Sequence, residues 1–138
     1  MTGGKRRYRD IVPEHVAATL RKFCMALPDA YEEQAWAGTR WMVRKRTFAH
    51  VLCVAGDSAD SFIMLSFRSM GEELEMLRQA GHPFFVLGWG REGMGMVLDD
   101  ETDWDEIAEL VAESFCVVAP KKLVTLVRGE TTNRGQGR

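Results

Sequence analysis

Basic side chains around one short segment are the clearest chemical feature of the sequence. Lys and Arg bind phosphate groups, and an exposed indole, that of Trp41 or of Trp89, can stack on a nucleobase. The spacing therefore favours a contact with nucleic acid. Seven side chains form this predicted contact: Arg40, Trp41, Arg44, Lys45, Arg46, Lys121 and Lys122. The alternative is that the cations only protect a hairpin from aggregating through its edge.

Charge is unevenly distributed along the chain. The net charge is −2, but residues 1–68 carry +4, residues 69–118 carry −10 and residues 119–138 carry +4. Such asymmetry is typical of a polar binding surface, although solvated acidic helices beside ordinary strands produce the same pattern. Any bound nucleic acid must lie away from the acidic segment.

Glycines between residues 88 and 93 match a dinucleotide-binding fingerprint literally. Gly88, Gly90 and Gly93 have the GxGxxG spacing. That fingerprint requires a helix to open within it, so that the phosphate meets the helix N-terminus. The next residues, MGMVL (94–98), are typical of a strand. We therefore expect a glycine-rich hairpin and no bound cofactor.

Metal-binding and catalytic patterns are weak. The three histidines (His15, His50 and His82) and the three cysteines (Cys24, Cys53 and Cys116) lack ligand spacing, so we expect no metal and buried thiols in a reducing cytoplasm. No nucleophile motif occurs, and the acids between Asp99 and Asp105 fit helix capping. We expect no enzyme. A less favoured alternative is a small-ligand or catalytic site that combines His50, Trp89, Arg91 and Ser114.

Apolar periodicity predicts the elements that position these residues. A helix runs from Pro13 to Leu27, and the next helices begin at capping patterns, Ser69 with Glu72 and Thr102 with Asp105. The second helix ends at Gly81 and the third at Pro120. Strands are predicted at 32–36, 39–46, 48–54, 61–67, 84–87 and 94–98.

Short turns between these strands indicate an antiparallel sheet. The predicted order is α-β-β-β-β-α-β-β-α, an α+β fold in two layers with three helices and five to six strands. At 138 residues the chain has the length of one domain, over residues 10–127. We expect a flexible basic arm at 1–9, with no secretory signal, and a flexible tail at 128–138.

Two stretches of the chain resemble the MmcQ/YjbR family. They are ALPDAYEEQAWAGTRWMVRKRTFA (26–49) and LDDETDWDEIAELVAESFCVVAPKKL (98–123). Phe115 stands where that family usually has Tyr. The matching positions are Trp36, Phe48, Trp104, Ser114, Phe115, Pro120 and Lys121. The resemblance extends over about residues 12–125 and rests on the order of these motifs.

The resemblance implies a YjbR-like, α+β fold similar to those of secretion chaperones, without an established enzymatic activity. Many members carry a DNA-binding label, which agrees with the basic segment. We therefore expect a small cytoplasmic protein of bacterial type that binds DNA weakly and without sequence preference. The alternative is a chaperone-like module that binds a protein or peptide and forms a homodimer. No membrane contact is expected, because the apolar runs are far shorter than about 20 residues.

Overall fold

A computed structural model describes residues 12–55, 61–88 and 90–136 of the protein. These residues form four helices and six strands. In chain order they are α1 (Glu14–Met25), β1 (Tyr31–Gln34), β2 (Thr39–Val43), β3 (Arg46–Ala55), β4 (Ser61–Arg68), α2 (Gly71–Ala80), β5 (Phe84–Val86), β6 (Gly93–Leu98), α3 (Trp104–Val118) and α4 (Lys121–Gln136).

The six strands form one antiparallel sheet in the order β1-β2-β3-β4-β6-β5. α3 packs on β3 and β4, α1 packs on β1, β2 and α3, and α2 lies against β5. This arrangement confirms the predicted α+β class and antiparallel sheet. Among the described helices, none has the length and apolar composition that a membrane crossing needs.

The predicted helix count of three is wrong, because α4 follows α3 after Pro120. Leu123 is buried in the main core, while Leu126 is 65 % exposed. The polar residues beyond Arg128 contain no apolar stripe, and the sequence therefore predicted a tail. The helical backbone continues through that segment to Gln136. The predicted arm at residues 1–9 lies outside the described residues.

Helix capping differs from both predicted patterns. Asp103, not Thr102, caps α3, and its carboxylate accepts the backbone N–H groups of Asp105 and Glu106. The Thr102 hydroxyl instead accepts the N–H of Asp99. α2 has Met70 as its N-cap and no side-chain cap. The capping residue is therefore shifted by one position in both helices.

The two faces of the sheet carry different apolar clusters. Val51, Leu65 and Met96 are paired across β3, β4 and β6, and they face the helices in the main core. Because side chains alternate along a strand, their neighbours point to the opposite face. A smaller cluster lies there, with Leu52 and Met64 at its centre. All of its members come from strands and turns, so this outer face is available to carry a site.

The turn between β1 and β2 crosses close over β3. Gly38 has a φ of +74°, and a Cβ added there would lie 1.9 Å from the Val51 carbonyl oxygen. Only glycine permits both this conformation and this approach. The crossing holds the neighbouring Trp36 above the outer face.

Candidate nucleic-acid interface

The hairpin that joins β2 to β3 turns through two cations. Arg44 and Lys45 have φ values of +51° and +69°, while Val43 and Arg46 pair across the strands. Positive φ at both central residues defines a type I′ turn, for which Asn-Gly is the usual sequence. A residue with a Cβ in this left-handed region costs about 1 kcal/mol. The turn therefore retains two positive charges at a conformational cost.

The two cations at the tip have few competing contacts. The Arg44 guanidinium contacts the Asp29 carboxylate at 2.8 Å, but both side chains are about half exposed, so water and salt screen this pair. The backbone N–H of Lys45 donates to the Tyr31 hydroxyl at 3.1 Å. Its ammonium group makes no ion pair within the described residues. Both charges are accessible to an anion.

Arg46 connects this tip to the start of α4. Its guanidinium lies 3.5 Å from the carbonyl oxygen of Val118, the last residue of α3. Lys121 and Lys122 begin α4 only three residues later, and both are exposed. The positive end of the helix dipole adds to their charge. Five of the seven predicted residues thus lie at one end of the molecule.

Arg40 lies at the other end of β2, about 13 Å along the strand from Arg44. It pairs in register with His50, which points to the outer face of the sheet. Its guanidinium contacts the Glu33 carboxylate at 2.8 Å. Arg40 therefore belongs to the outer face and not to the hairpin tip.

Trp41 belongs to the core. Its side chain is completely buried, and its Nε1–H donates to Glu32 Oε1 at 2.9 Å. A nucleobase cannot reach this indole, so the stacking role predicted for Trp41 does not fit the structure. The reason is the direction of β2, which turns Trp41 and Val43 towards the helices.

The exposed indole beside these cations is that of Trp36 and not that of Trp41. Trp36 is 67 % exposed, and its ring lies edge-on to His50 with 6.2 Å between ring centroids. It borders a hollow of about 400 Å³ on the outer face. The polar side chains around this hollow are those of Arg40, Thr47, His50, Ser66 and Arg68.

Arg68 also belongs to this site, although no motif in the sequence predicted it. Its Nε–H donates to the Thr47 carbonyl oxygen at 3.1 Å, and its guanidinium lies 3.8 Å from Glu92. Thr47 directly follows Arg46, so Arg68 links the hollow to the hairpin. A single Arg at the end of the segment SFIMLSFR was the only signal, and it does not reveal this proximity.

His50 does not contribute positive charge to the hollow at neutral pH. Burial lowers the pKa of its imidazole, the nearby Arg40 charge lowers it further, and the hydrogen bond to Ala37 opposes both effects. In the neutral ring, Nε2–H donates to the Ala37 carbonyl oxygen at 2.7 Å. The positive charge of the hollow therefore comes from Arg40 and Arg68.

The residues of the predicted small-ligand site are not brought together. His50 faces the outer side of the sheet, whereas Ser114 lies buried in α3 on the opposite side. Arg91 is exposed in the turn before β6, and Trp89 lies outside the described residues. The glycine-rich segment leads from β5 into β6 and opens no helix, as the sequence predicted. Within residues 12–55, 61–88 and 90–136, no group of three His, Cys, Asp or Glu side chains could hold a metal ion.

Burial raises the pKa of two of the three cysteine thiols. Cys24 and Cys53 are buried and Cys116 is partly buried, and none of the three forms a disulfide within the described residues. Burial raises the pKa of the Cys24 thiol, and the Glu32 charge raises it further. Burial is also the main cause that raises the pKa of Cys116. Both groups stay protonated at neutral pH, and a protonated thiol is a poor nucleophile.

A family model described as YjbR matches residues 25–117 of the chain. The chain belongs to the YjbR family. No curated protein matches it. The YjbR match contains the whole hairpin, Trp36 and Arg68, whereas Lys121 and Lys122 follow it. The part of the site on the sheet is therefore the part that lies within the YjbR region.

Proposed function

We propose that this YjbR-family protein binds single-stranded nucleic acid weakly and without sequence preference. The binding surface consists of the hairpin tip and the outer-face hollow. The observation that carries the proposal is the exposed indole of Trp36, which shares one hollow with Arg40 and Arg68. Stacked bases and neutralised phosphates are the two contacts that single-strand-binding proteins combine.

The path of the strand follows from the contacts of the hollow. A base stacks on Trp36, and the adjacent phosphates meet Arg40 and Arg68. Thr47 continues the hollow to the hairpin, where Arg44 and Lys45 meet the next phosphates. Backbone charge is the same for every sequence, and every base has an aromatic face, so the contacts carry little sequence information.

The existing ion pairs explain why this binding is weak. Glu33 pairs with Arg40, and Asp29 pairs with Arg44, each at 2.8 Å. A phosphate has to displace these carboxylates or share the guanidinium groups with them. Each exchange reduces the net gain in free energy from the new contact.

Fluorescence anisotropy with a labelled oligothymidine strand and a labelled duplex tests the proposal. For the single strand, the logarithm of the association constant should fall with the logarithm of salt concentration, at about −0.7 per neutralised phosphate. Three or four phosphate contacts predict a slope of about −2 to −3. The duplex should bind more weakly, because its stacked bases cannot reach Trp36.

Two variants separate stacking from charge. Trp36→Ala should weaken binding to the single strand about tenfold and leave the salt slope unchanged. Reversal of Arg44 and Arg46 to Glu should weaken binding to both probes and lower the salt slope. Arg78→Glu reverses a single charge on exposed α2, outside the lining of the hollow. It is the control for a reversed surface charge and should change neither value. The proposal fails if the wild-type protein binds neither probe at low salt, or if Trp36→Ala and the control bind equally well.

A further inference from the structure

A groove of about 820 Å³ runs between α2, α3 and α4, on the helical layer of the protein. Its apolar lining includes Met76, Leu77, Leu110 and Val117. Met76 is 71 % exposed, and Met70 at the start of α2 is 55 % exposed. Large apolar side chains this accessible, collected in one groove, are typical of an interaction surface.

The rim of the groove is acidic. Glu73 of α2 and Glu106, Glu109 and Glu113 of α3 line it. Among the side chains that the structure describes, Arg128 is the one basic residue along it. Arg128 pairs with Glu113, so this pair is internally neutralised. Glu106 and Glu109 are exposed and make no ion pair within the described residues. These acids belong to residues 69–118, which carry a net charge of −10. Binding of negatively charged nucleic acid does not use them.

We propose that this groove binds a basic amphipathic helix of a partner protein. The charge complements Lys or Arg at the flanks of such a helix, and the apolar lining accommodates its apolar face. Along α3 the groove extends from Glu106 to Val117, a rise of about 17 Å, which equals three turns of a bound helix. Thioether side chains adapt to differently shaped apolar anchors, as they do in other helix-binding grooves.

The same charges disfavour other occupants. Nucleic acid is repelled by Glu106 and Glu109. In a twofold symmetric dimer through this groove, the same patch lies on both sides of the interface, so the acidic rims face each other. The expected occupant is therefore a basic segment, and it binds on a different surface from the nucleic acid.

A synthetic helical peptide of about 18 residues provides the probe, with Leu at i, i+3/i+4 and i+7 spacing, flanking Lys and a fluorescent label. Two control peptides accompany it. One has the same composition in scrambled order, so that the apolar stripe is dispersed, and the other has Glu in place of each Lys. The full-length protein should bind only the first peptide in fluorescence anisotropy.

Three protein variants locate the binding site. Met76→Asp and Glu109→Lys change exposed groove residues and should each weaken binding about tenfold. Glu75→Lys makes the same charge change as Glu109→Lys, but on an α2 residue that does not line the groove, and should change the affinity less than about twofold. Reversal of Arg44 and Arg46, which do not line the groove, should leave peptide binding unchanged. Loss of peptide binding and loss of nucleic-acid binding can therefore be distinguished.

The proposal is overturned if the scrambled peptide binds as well as the amphipathic one, because charge alone then explains binding. It is also overturned if Met76→Asp and Glu109→Lys bind like the wild type. Sedimentation of the free protein is measured at the same concentration. A dimer that Met76→Asp dissociates would assign the groove to a second copy of the chain and would likewise overturn the proposal.

Discussion

The buried hydroxyl of Ser114 donates a hydrogen bond to the carbonyl oxygen of Phe48, at 2.6 Å. The same hydroxyl accepts the backbone N–H of Arg68 at 2.8 Å. Phe48 is the extra residue of a β-bulge, since Trp41 pairs with Ala49 and Met42 pairs with Thr47. One serine on α3 therefore provides a hydrogen-bond partner for the bulge in β3 and another for the end of β4, which borders the hollow.

Replacement of Ser114 by Ala should lower the free energy of unfolding by about 3 kcal/mol. The change removes the Ser114 hydroxyl from the buried Phe48 carbonyl and from the partly buried Arg68 N–H. A buried polar group that loses its partner costs about 1–3 kcal/mol. Urea denaturation measures the loss. Ser61→Ala, at the exposed start of β4, is the control and should be nearly neutral. A loss below about 1 kcal/mol for Ser114→Ala would show that another group or water replaces the hydroxyl.

Glu32 connects α1 to the sheet, and its ionisation should make the free energy of unfolding depend on pH in the acidic range. Its carboxylate accepts from Arg21 Nε at 2.8 Å and from the buried Trp41 Nε1 at 2.9 Å. The hydrogen bond from Arg21 is the main cause that lowers the pKa of Glu32, and burial opposes it. The folded state thus favours the ionised form, and its stabilising contribution is present at neutral pH and lost as pH falls below about 4.

The variant Glu32→Gln should be less stable than the wild type by about 1 kcal/mol at pH 7. This difference should shrink as the pH falls through the lowered pKa of Glu32, because the wild-type carboxyl then becomes neutral as well. Urea midpoints across an acidic pH series measure it. A difference that stays constant down to pH values near 2 would contradict the assignment to ionisation.

His50 should affect stability in a separate pH window. Because burial lowers the pKa of His50 in the folded state, the unfolded chain takes up a proton first as pH falls below about 6.5. Stability should therefore be full above this pH and decline below it, until the folded imidazole also becomes protonated. One proton limits the slope to about 1.4 kcal/mol per pH unit.

Comparison of wild type with His50→Gln between pH 8 and pH 5 isolates this effect. The variant should lack the decline that the wild type shows below about pH 6.5. His15→Gln, on the exposed first turn of α1, is the control and should retain the wild-type slope. Equal slopes in all three proteins would show that the unfolded and folded states bind this proton equally.

The sequence could predict local elements better than the surfaces that they form. Period-two alternation correctly placed Trp41 and Val43 on one face of β2, but it did not show that the helices cover this face. That depends on where α1 and α3 pack, which is set by contacts distant in sequence. For the same reason Trp36 could be matched to a family position but not recognised as exposed.

The sequence did not predict the strand order or the bulge, because both depend on contacts between residues that are distant in sequence. β6 lies between β4 and β5, although β5 precedes it in the chain. The bulge at Phe48 is stabilised by Ser114, which is 66 residues away. The residue types also did not predict the type I′ turn, because Arg44 and Lys45 are not the residues that this turn favours. The predicted homodimer stays a prediction.

The left-handed backbone of Lys45 in the turn between β2 and β3 should allow stability and binding to be separated at one position. Lys45→Gly removes a Cβ from a residue with a φ of +69°. The relief of strain, partly offset by the greater entropy of glycine in the unfolded chain, should raise the free energy of unfolding by about 0.5–1 kcal/mol. Lys45→Ala keeps the strain and should leave stability nearly unchanged.

Both variants remove the same charge, so both should weaken binding to labelled oligothymidine to the same extent and lower the salt slope by about 0.7. Urea denaturation and fluorescence anisotropy on the same samples measure the two effects. A more stable Lys45→Gly variant with reduced affinity would mean that the lysine is retained for its charge and against its conformational preference. If Lys45→Gly is more stable and binds as tightly as the wild type, Lys45 takes no part in binding.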